Sequence, residues 1–243
     1  MRVCIAQIKP DKGNIQNNIE IHKKWIQIAV SEKTDLIVFP ELSLTGYEPD
    51  LAKQLATDQN DARLNEFQEI SNLYKISIAI GLPIKAKLGT LIGMVIFEPN
   101  RPKQTYSKQK LHSDELVYFI EGKDQLILNI KSTKIAPAIC YESVQLSHFE
   151  NAKNLGADIY LASVAKSQTG IENASVHFSE IASKYTTPIL MSNCIGVCDN
   201  FQALGQSAIW DSKGVLLEKL GTTTEGILIF DTDTEEVLRK ENK

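Results

Sequence analysis

The stretch "KTDLIVFPE", residues 33–41, decides the fold. Its apolar run, Leu36-Ile37-Val38-Phe39, does not alternate with polar residues, so it suits a strand covered on both faces. The run ends on Pro40 and then on a carboxylate, Glu41. A second stretch, "GADIYLASV" at 156–164, has the same form: a helix end, a buried run and a polar residue, Ser163, near its end. The echo suggests pseudo-symmetry between two halves.

Outward from these two segments, similar runs recur: "VCIAQI" (3–8), "ISIAIGLP" (76–83), "GMVIFEP" (93–99), "LILNI" (126–130), "KIAPAI" (134–139), "PILMSN" (188–193), "QSAIWD" (206–211), "GVLLEKL" (214–220) and "GILIFD" (226–231). Helical spacing appears between them. Over 14–33, Ile15, Ile19, Ile26, Ala29 and Val30 share one face, with Asn14 as N-cap. Residues 50–74, 146–155 (ended by Gly156) and 172–185 are expected to be helical too. "WDSKGVLL" reads as a hairpin turned at Gly214. No Gly/Ser/Pro-rich linker divides the chain, so residues 1–243 are read as one α/β domain with helices covering packed sheets.

Composition narrows the function classes. An apolar fraction of 43% and a charged fraction of 23% are those of a globular protein with a sizeable core. The net charge of −4 and the absence of a Lys/Arg block argue against a nucleic-acid or anionic-membrane partner. "MRVCIAQIKP" lacks the apolar core of a signal peptide, and no run approaches the ~20 residues that span a bilayer, so a cytoplasmic protein is expected. In that compartment Cys4, Cys140, Cys194 and Cys198 should be thiols. Cys194 and Cys198 lack the second ligand pair of a structural zinc site, and no metal is expected; Cys4 and Cys194 suit core positions.

Three polar positions follow strand-like runs, where α/β folds tend to place sites. Glu41 is costly to bury without a partner, although a Glu at a strand end also serves as a turn cap or leaves into water. "YSKQKLHSDELVYF" (106–119) carries Lys108, Lys110 and Glu115, and by itself reads equally as a solvated loop. Cys140, at the end of "KIAPAICYES" (134–143), is either a buried structural thiol or a nucleophile. A nucleophile needs a base or a cation nearby. None of His22, His112, His148 and His177 lies in a recognisable Cys-His motif, whereas a Glu base with a Lys cation is available.

Taken in order, these segments resemble the nitrilase (carbon–nitrogen hydrolase) superfamily. The F-P-E and T-G-Y patterns appear as Phe39-Pro40-Glu41 and Thr45-Gly46-Tyr47. Y-[RS]-K-x-x-L appears as Tyr106 to Leu111, with Lys108 in register. I-C-Y-[DE] appears as Ile139-Cys140-Tyr141-Glu142, and a second glutamate before an aromatic pair and a Gly maps to Glu115 before Tyr118, Phe119 and Gly122. The C-terminal G-x-S-x-[IV]-x-[DN]-x-x-G falls on Gly205, Ser207, Ile209, Asp211 and Gly214. The chain departs from the pattern at Lys184-Tyr185, before Asn193, and at Ser143-Val144-Gln145-Leu146, positions expected to shape or support the acyl pocket.

The resemblance implies a four-layer α-β-β-α sandwich that pairs into homodimers through its helices. It implies hydrolysis of a small-molecule amide, with no cofactor, through a thioester on Cys140. Glu41 would act as base, and Lys108 with the Tyr141 N–H as oxyanion donors. Glu115 would hold Lys108 or orient substrate. Tyr47, Tyr141, Glu142 and Ser163 are the expected substrate-binding residues. A catalytically silent binding protein, acyl transfer to an amine, N-carbamoyl or nitrile hydrolysis, and a Cys-His enzyme using His112 or His177 are the alternatives.

Overall fold

The computed structural model describes residues 1–242. The chain runs through β1 (Arg2–Gln7), α1 (Ile15–Ser31), β2 (Leu36–Val38), α2 (Pro49–Leu55), α3 (Asn65–Tyr74), β3 (Ser77–Ala86), β4 (Gly89–Phe97) and β5 (Gln104–Ser107). It continues through β6 (Leu128–Ile130), β7 (Thr133–Ile139), α4 (Leu146–Asn154), β8 (Ile159–Val164), α5 (Gln168–Tyr185) and β9 (Ile189–Asn193). The remaining strands are β10 (Ile195–Cys198), β11 (Phe201–Leu204), β12 (Ala208–Trp210), β13 (Leu216–Lys219), β14 (Gly226–Asp231) and β15 (Val237–Glu241).

Two large sheets form, in the orders β15-β14-β1-β2-β3-β4-β5 and β13-β12-β9-β8-β7-β6. In each, three parallel strands make the centre: β1-β2-β3 in the first and β7-β8-β9 in the second. The echo between 33–41 and 156–164 therefore has a structural meaning, because β2 and β8 are the middle strands of those two triplets. Parallel triplets need crossover helices, which cover the outer faces. Ile19, Trp25 and Phe67 of α1 and α3 pack on Ile37 and Ile78, while Phe149 and Phe178 of α4 and α5 pack on Tyr160 and Met191. A third cluster, including Ile5, Val38, Met94, Ile139 and Leu161, lies between the sheets. The result is the expected α-β-β-α sandwich.

Asn14 caps α1 as expected, its side chain accepting from the Asn17 N–H (3.2 Å), and Gly156 and Gly214 take positive φ at their turns. The expected helix over 50–74 is instead broken in two. Asp58 and Asp61 bind the N–H groups of Asn60 (2.6 Å) and Arg63 (2.9 Å), giving the backbone an alternative to helical bonds. Thr57 meanwhile pairs with Ile84 at the edge of β3. α5 starts at Gln168, a turn earlier than its apolar spacing indicated. The edge strands β5 and β15 carry too few apolar residues to stand out in the sequence, and the strands of the β10–β11 hairpin are only four residues long each. Among the described residues, no helix is long and apolar enough to cross a membrane.

Candidate active site

Three chain segments deliver the site, and each is held by its backbone. Beyond β2, the chain turns at Pro40–Thr45 with Ser43 N–H on Pro40 O (3.1 Å) and Leu44 N–H on Gly81 O (2.9 Å). Gly81 allows this approach, since a Cβ there would lie 2.5 Å from both Leu42 N and Pro40 O. The turn directs Glu41 inward, 2% exposed. Beyond β5, Lys108 N–H donates to Ile92 O (2.9 Å) and Gly122 N–H donates to Lys108 O (2.7 Å), so the lysine is fixed from both sides.

Cys140 follows β7 with φ +48, the left-handed region that a side chain enters at a cost of about 1–2 kcal/mol. That conformation starts a short 3-10 turn, Cys140–Val144, and lifts the thiol off the strand end. As the second residue of the turn, Tyr141 has no carbonyl of that turn to satisfy its N–H.

The Lys108 ammonium is fully buried and donates to Glu41 Oε1 (2.8 Å) and Glu115 Oε1 (2.6 Å). Glu115 is saturated further by the Tyr47 hydroxyl (2.9 Å) on Oε1 and the His112 N–H (2.7 Å) on Oε2. Lys110 lies outside this set and donates to Ser147 Oγ (2.5 Å). Geometry thus selects Lys108 of the two lysines. Glu41 Oε2 is buried with no hydrogen-bond partner, leaving a free acceptor on the residue expected to be the base.

Charge and burial set the protonation states. Burial raises the Glu41 carboxyl above its ordinary range, and Glu115 adds to this, while Lys108 and the thiol pull it back. Burial acts against the Lys108 ammonium, but Glu41, Cys140 and Glu115 overcome that penalty and hold it charged. Burial, with Glu41, pushes the Cys140 thiol up to about 11, against the opposing charges of Lys166 and Lys108. At rest the sulfur is therefore protonated, and it is directed at Ala165 O (3.7 Å).

Tyr47, Glu115, Cys140 and Tyr141 open together onto one cavity of about 230 Å³. Larger hollows of about 390 to 450 Å³ elsewhere on the surface contain no thiol. Two expected substrate contacts are not in this cavity. Glu142 is fully buried behind it, with Oε1 accepting from Tyr106 OH (2.6 Å) and Ile139 N–H (2.7 Å) and Oε2 from Gln109 N–H (2.6 Å). It ties the end of β7, which carries the cysteine, to the end of β5, which carries the lysine. Ser163 is also buried and donates to Phe39 O (2.8 Å), pinning β8 of one sheet to the segment leading to Glu41 in the other. Both residues build the frame, because their polar atoms are used up by partners within the protein.

Other expectations resolve similarly. Phe119 is core, while Tyr118 is 41% exposed. The departure at Lys184-Tyr185 lies away from the cavity, where Tyr185 OH donates to Glu150 Oε1 (2.5 Å) and joins α5 to α4. Among the described residues, no histidine hydrogen-bonds the Cys140 thiol; His112 sits at the rim, paired with Asp114 (2.7 Å). Cys194 and Cys198 are buried free thiols 3.6 Å apart, and no group of three or more metal-ligating His, Cys, Asp or Glu side chains exists among the described residues.

Reading the sequence missed Lys166, Gly170 and Phe201, which line the cavity.

The chain resembles the amidase of Nesterenkonia sp. AN1, seen in a cysteine-to-alanine variant with butyramide, with a TM-score of 0.86 at 20% identity, covering 97% of this chain and 92% of that one. It also resembles a glutamine-dependent NAD+ synthetase from Acinetobacter baumannii, with a TM-score of 0.82 at 22% identity over 100% of this chain and 48% of that one. Among curated proteins it is 24% identical to the glutamine-dependent NAD(+) synthetase of Thermotoga maritima, over 98% of this chain but only 43% of that longer protein. The chain thus spans less than half of such synthetases. It is 23% identical to a "Probable nitrilase" of Schizosaccharomyces pombe, over 98% of this chain and 91% of that one. The carbon-nitrogen hydrolase family pattern matches residues 2–239, nearly from end to end, and the chain belongs to that family.

Proposed function

We propose that the protein hydrolyses the carbon–nitrogen bond of a small linear amide through a thioester on Cys140. The observation that carries this reading is the buried Lys108 ammonium, bonded to Glu41 and Glu115 at once beside a thiol that opens into the same cavity. On attack, the thiol proton passes to the free oxygen of Glu41 as the sulfur–carbon bond forms. A thiol with a high pKa is a poor acid but gives a strongly nucleophilic sulfur once a base removes its proton, and the raised basicity of Glu41 matches that task. The carbonyl electrons move to oxygen, where Lys108 and the Tyr141 N–H stabilise the oxyanion. As the carbon–nitrogen bond breaks, Glu41 returns the proton to the leaving nitrogen. Water then attacks the thioester, giving its proton to Glu41, and the acid leaves as the thiol is restored. Glu115, held by Tyr47 and His112, positions Lys108.

The cavity has the volume of about eight water molecules, which favours short acyl groups. The reading carries with it a cytosolic enzyme that needs no cofactor. Pairing as a homodimer through the outer helices belongs to the same reading. The test is ammonia release from a panel of short amides, glutamine, N-carbamoyl amino acids and nitriles, beside Cys140→Ala. Hydrolysis abolished by that substitution is expected; undiminished hydrolysis in the variant refutes the scheme.

A further inference from the structure

Lys166 follows β8 at the cavity wall and is only 9% exposed. Its backbone is clamped by Asn193, whose Oδ1 accepts from the Lys166 N–H (2.9 Å) and whose Nδ2 donates to the Lys166 carbonyl (3.2 Å). Its stem lies on Gly170, where a Cβ would come within 3.3 Å of the Lys166 Cβ. The side chain is thus seated by its surroundings, with Gly170 leaving the space it occupies.

What the seat lacks is an anion. The Lys166 ammonium makes no hydrogen bond and no ion pair among the described residues, in contrast to Lys108, which has two carboxylates. The acids around the cavity are already engaged. Glu115 accepts on both oxygens, Asp114 pairs with His112, and Glu41 is held by Lys108 on one oxygen. The charge of Lys166 nevertheless reaches the reacting sulfur, since it opposes the rise of the Cys140 thiol. That ammonium meets only the solvent of the cavity, and an incoming carboxylate would supply the charged partner that the protein does not.

We propose that Lys166 binds a carboxylate on the acyl portion of the substrate, which is then the ω-amide of a short carboxylic acid. The amide carbon would lie at Cys140 and the carboxylate at Lys166, at opposite ends of one molecule in a cavity of about 230 Å³. The proposal rests on the amide-hydrolase reading of the same cavity but is tested by binding alone.

In the Cys140→Ala protein, calorimetry compares succinamate and glutaramate with succinamide, a neutral molecule of nearly the same shape as succinamate. The expected result is roughly ten- to a hundredfold tighter binding of at least one of the two acids than of the diamide, the value of a charge-assisted hydrogen bond. Adding Lys166→Met should collapse that ratio to near one, and Lys166→Arg should keep most of it. Equal affinity for acid and diamide, no measurable binding of either acid, or a preference that survives Lys166→Met each overturns the proposal. The hydrolase reading fails on a different result, the absence of Cys140-dependent ammonia release.

Discussion

Replacing Lys108 by Met removes the one charge that both Glu41 and Glu115 share. At 2.8 and 2.6 Å, each contact has a gross attraction of roughly 6 kcal/mol at an effective dielectric of 20. Much of that is offset by the cost of burying the ions, and breaking a buried pair from one side typically costs about 3–5 kcal/mol. The variant should therefore be less stable by about that amount, rather than folding as well as the parent. Part of the loss will be relieved because Glu41 takes up a proton. Lys108 opposes the rise of the Glu41 carboxyl, whereas burial and Glu115 drive it, so without Lys108 the raised value climbs further. The base is then neutral over more of the pH range, and the acid limb of kcat/KM, already above the ordinary 4.5, should move to higher pH. Loss of the oxyanion donor adds a fall in kcat of about 10²–10³ at the plateau. The assay is ammonia release over pH 5–9, with urea unfolding of the same variant as the control for folding. Activity within tenfold of the parent, or an acid limb that does not move, would refute the roles given to Lys108 and Glu41.

Three further perturbations test the frame. Glu142→Gln places an amide NH₂ against the N–H groups of Gln109 or Ile139 and should cost about 3 kcal/mol in urea unfolding, with loss of turnover; unchanged stability would show that the carboxylate does not join β5 to β7. Gly81→Ala drives a Cβ into the Pro40–Leu42 backbone, so stability should fall by about 1–3 kcal/mol and kcat by up to about 10², since ångström-scale misplacement of a base has that effect. His22 is bonded to Asn18 O (2.6 Å) and Ser43 Oγ (3.0 Å), and burial lowers it from 6.5 to about 4. Above pH 6.5 it is neutral in both states. As pH falls from 6.5 to 4 the unfolded chain gains a proton that the folded one refuses, so up to about 3 kcal/mol of stability is lost. His22→Gln should flatten that part of the stability–pH curve; an unaltered slope would contradict it.

The sequence by itself determined the central strands, because β2 and β8 are apolar without alternation and only a position covered on both faces accommodates such runs. It also determined the order Glu41, Lys108, Cys140, each just beyond a strand, and the secondary glutamate Glu115. These are properties of residues close together in the chain. The tertiary structure alone decided which buried polar groups face the cavity. Glu142 follows directly after Cys140 and Tyr141, yet the register between β5 and β7 sets it against Tyr106 and Gln109, where its oxygens are consumed. Ser163 likewise spends its hydroxyl on Phe39 O across the two sheets. Lys166, unremarkable in "ASVAKSQTG", acquires its significance from Asn193 and Gly170, which seat it in the cavity without supplying an anion. A hydrogen-bond partner distant in sequence is fixed by how strands and sheets align, and local spacing carries no record of that alignment.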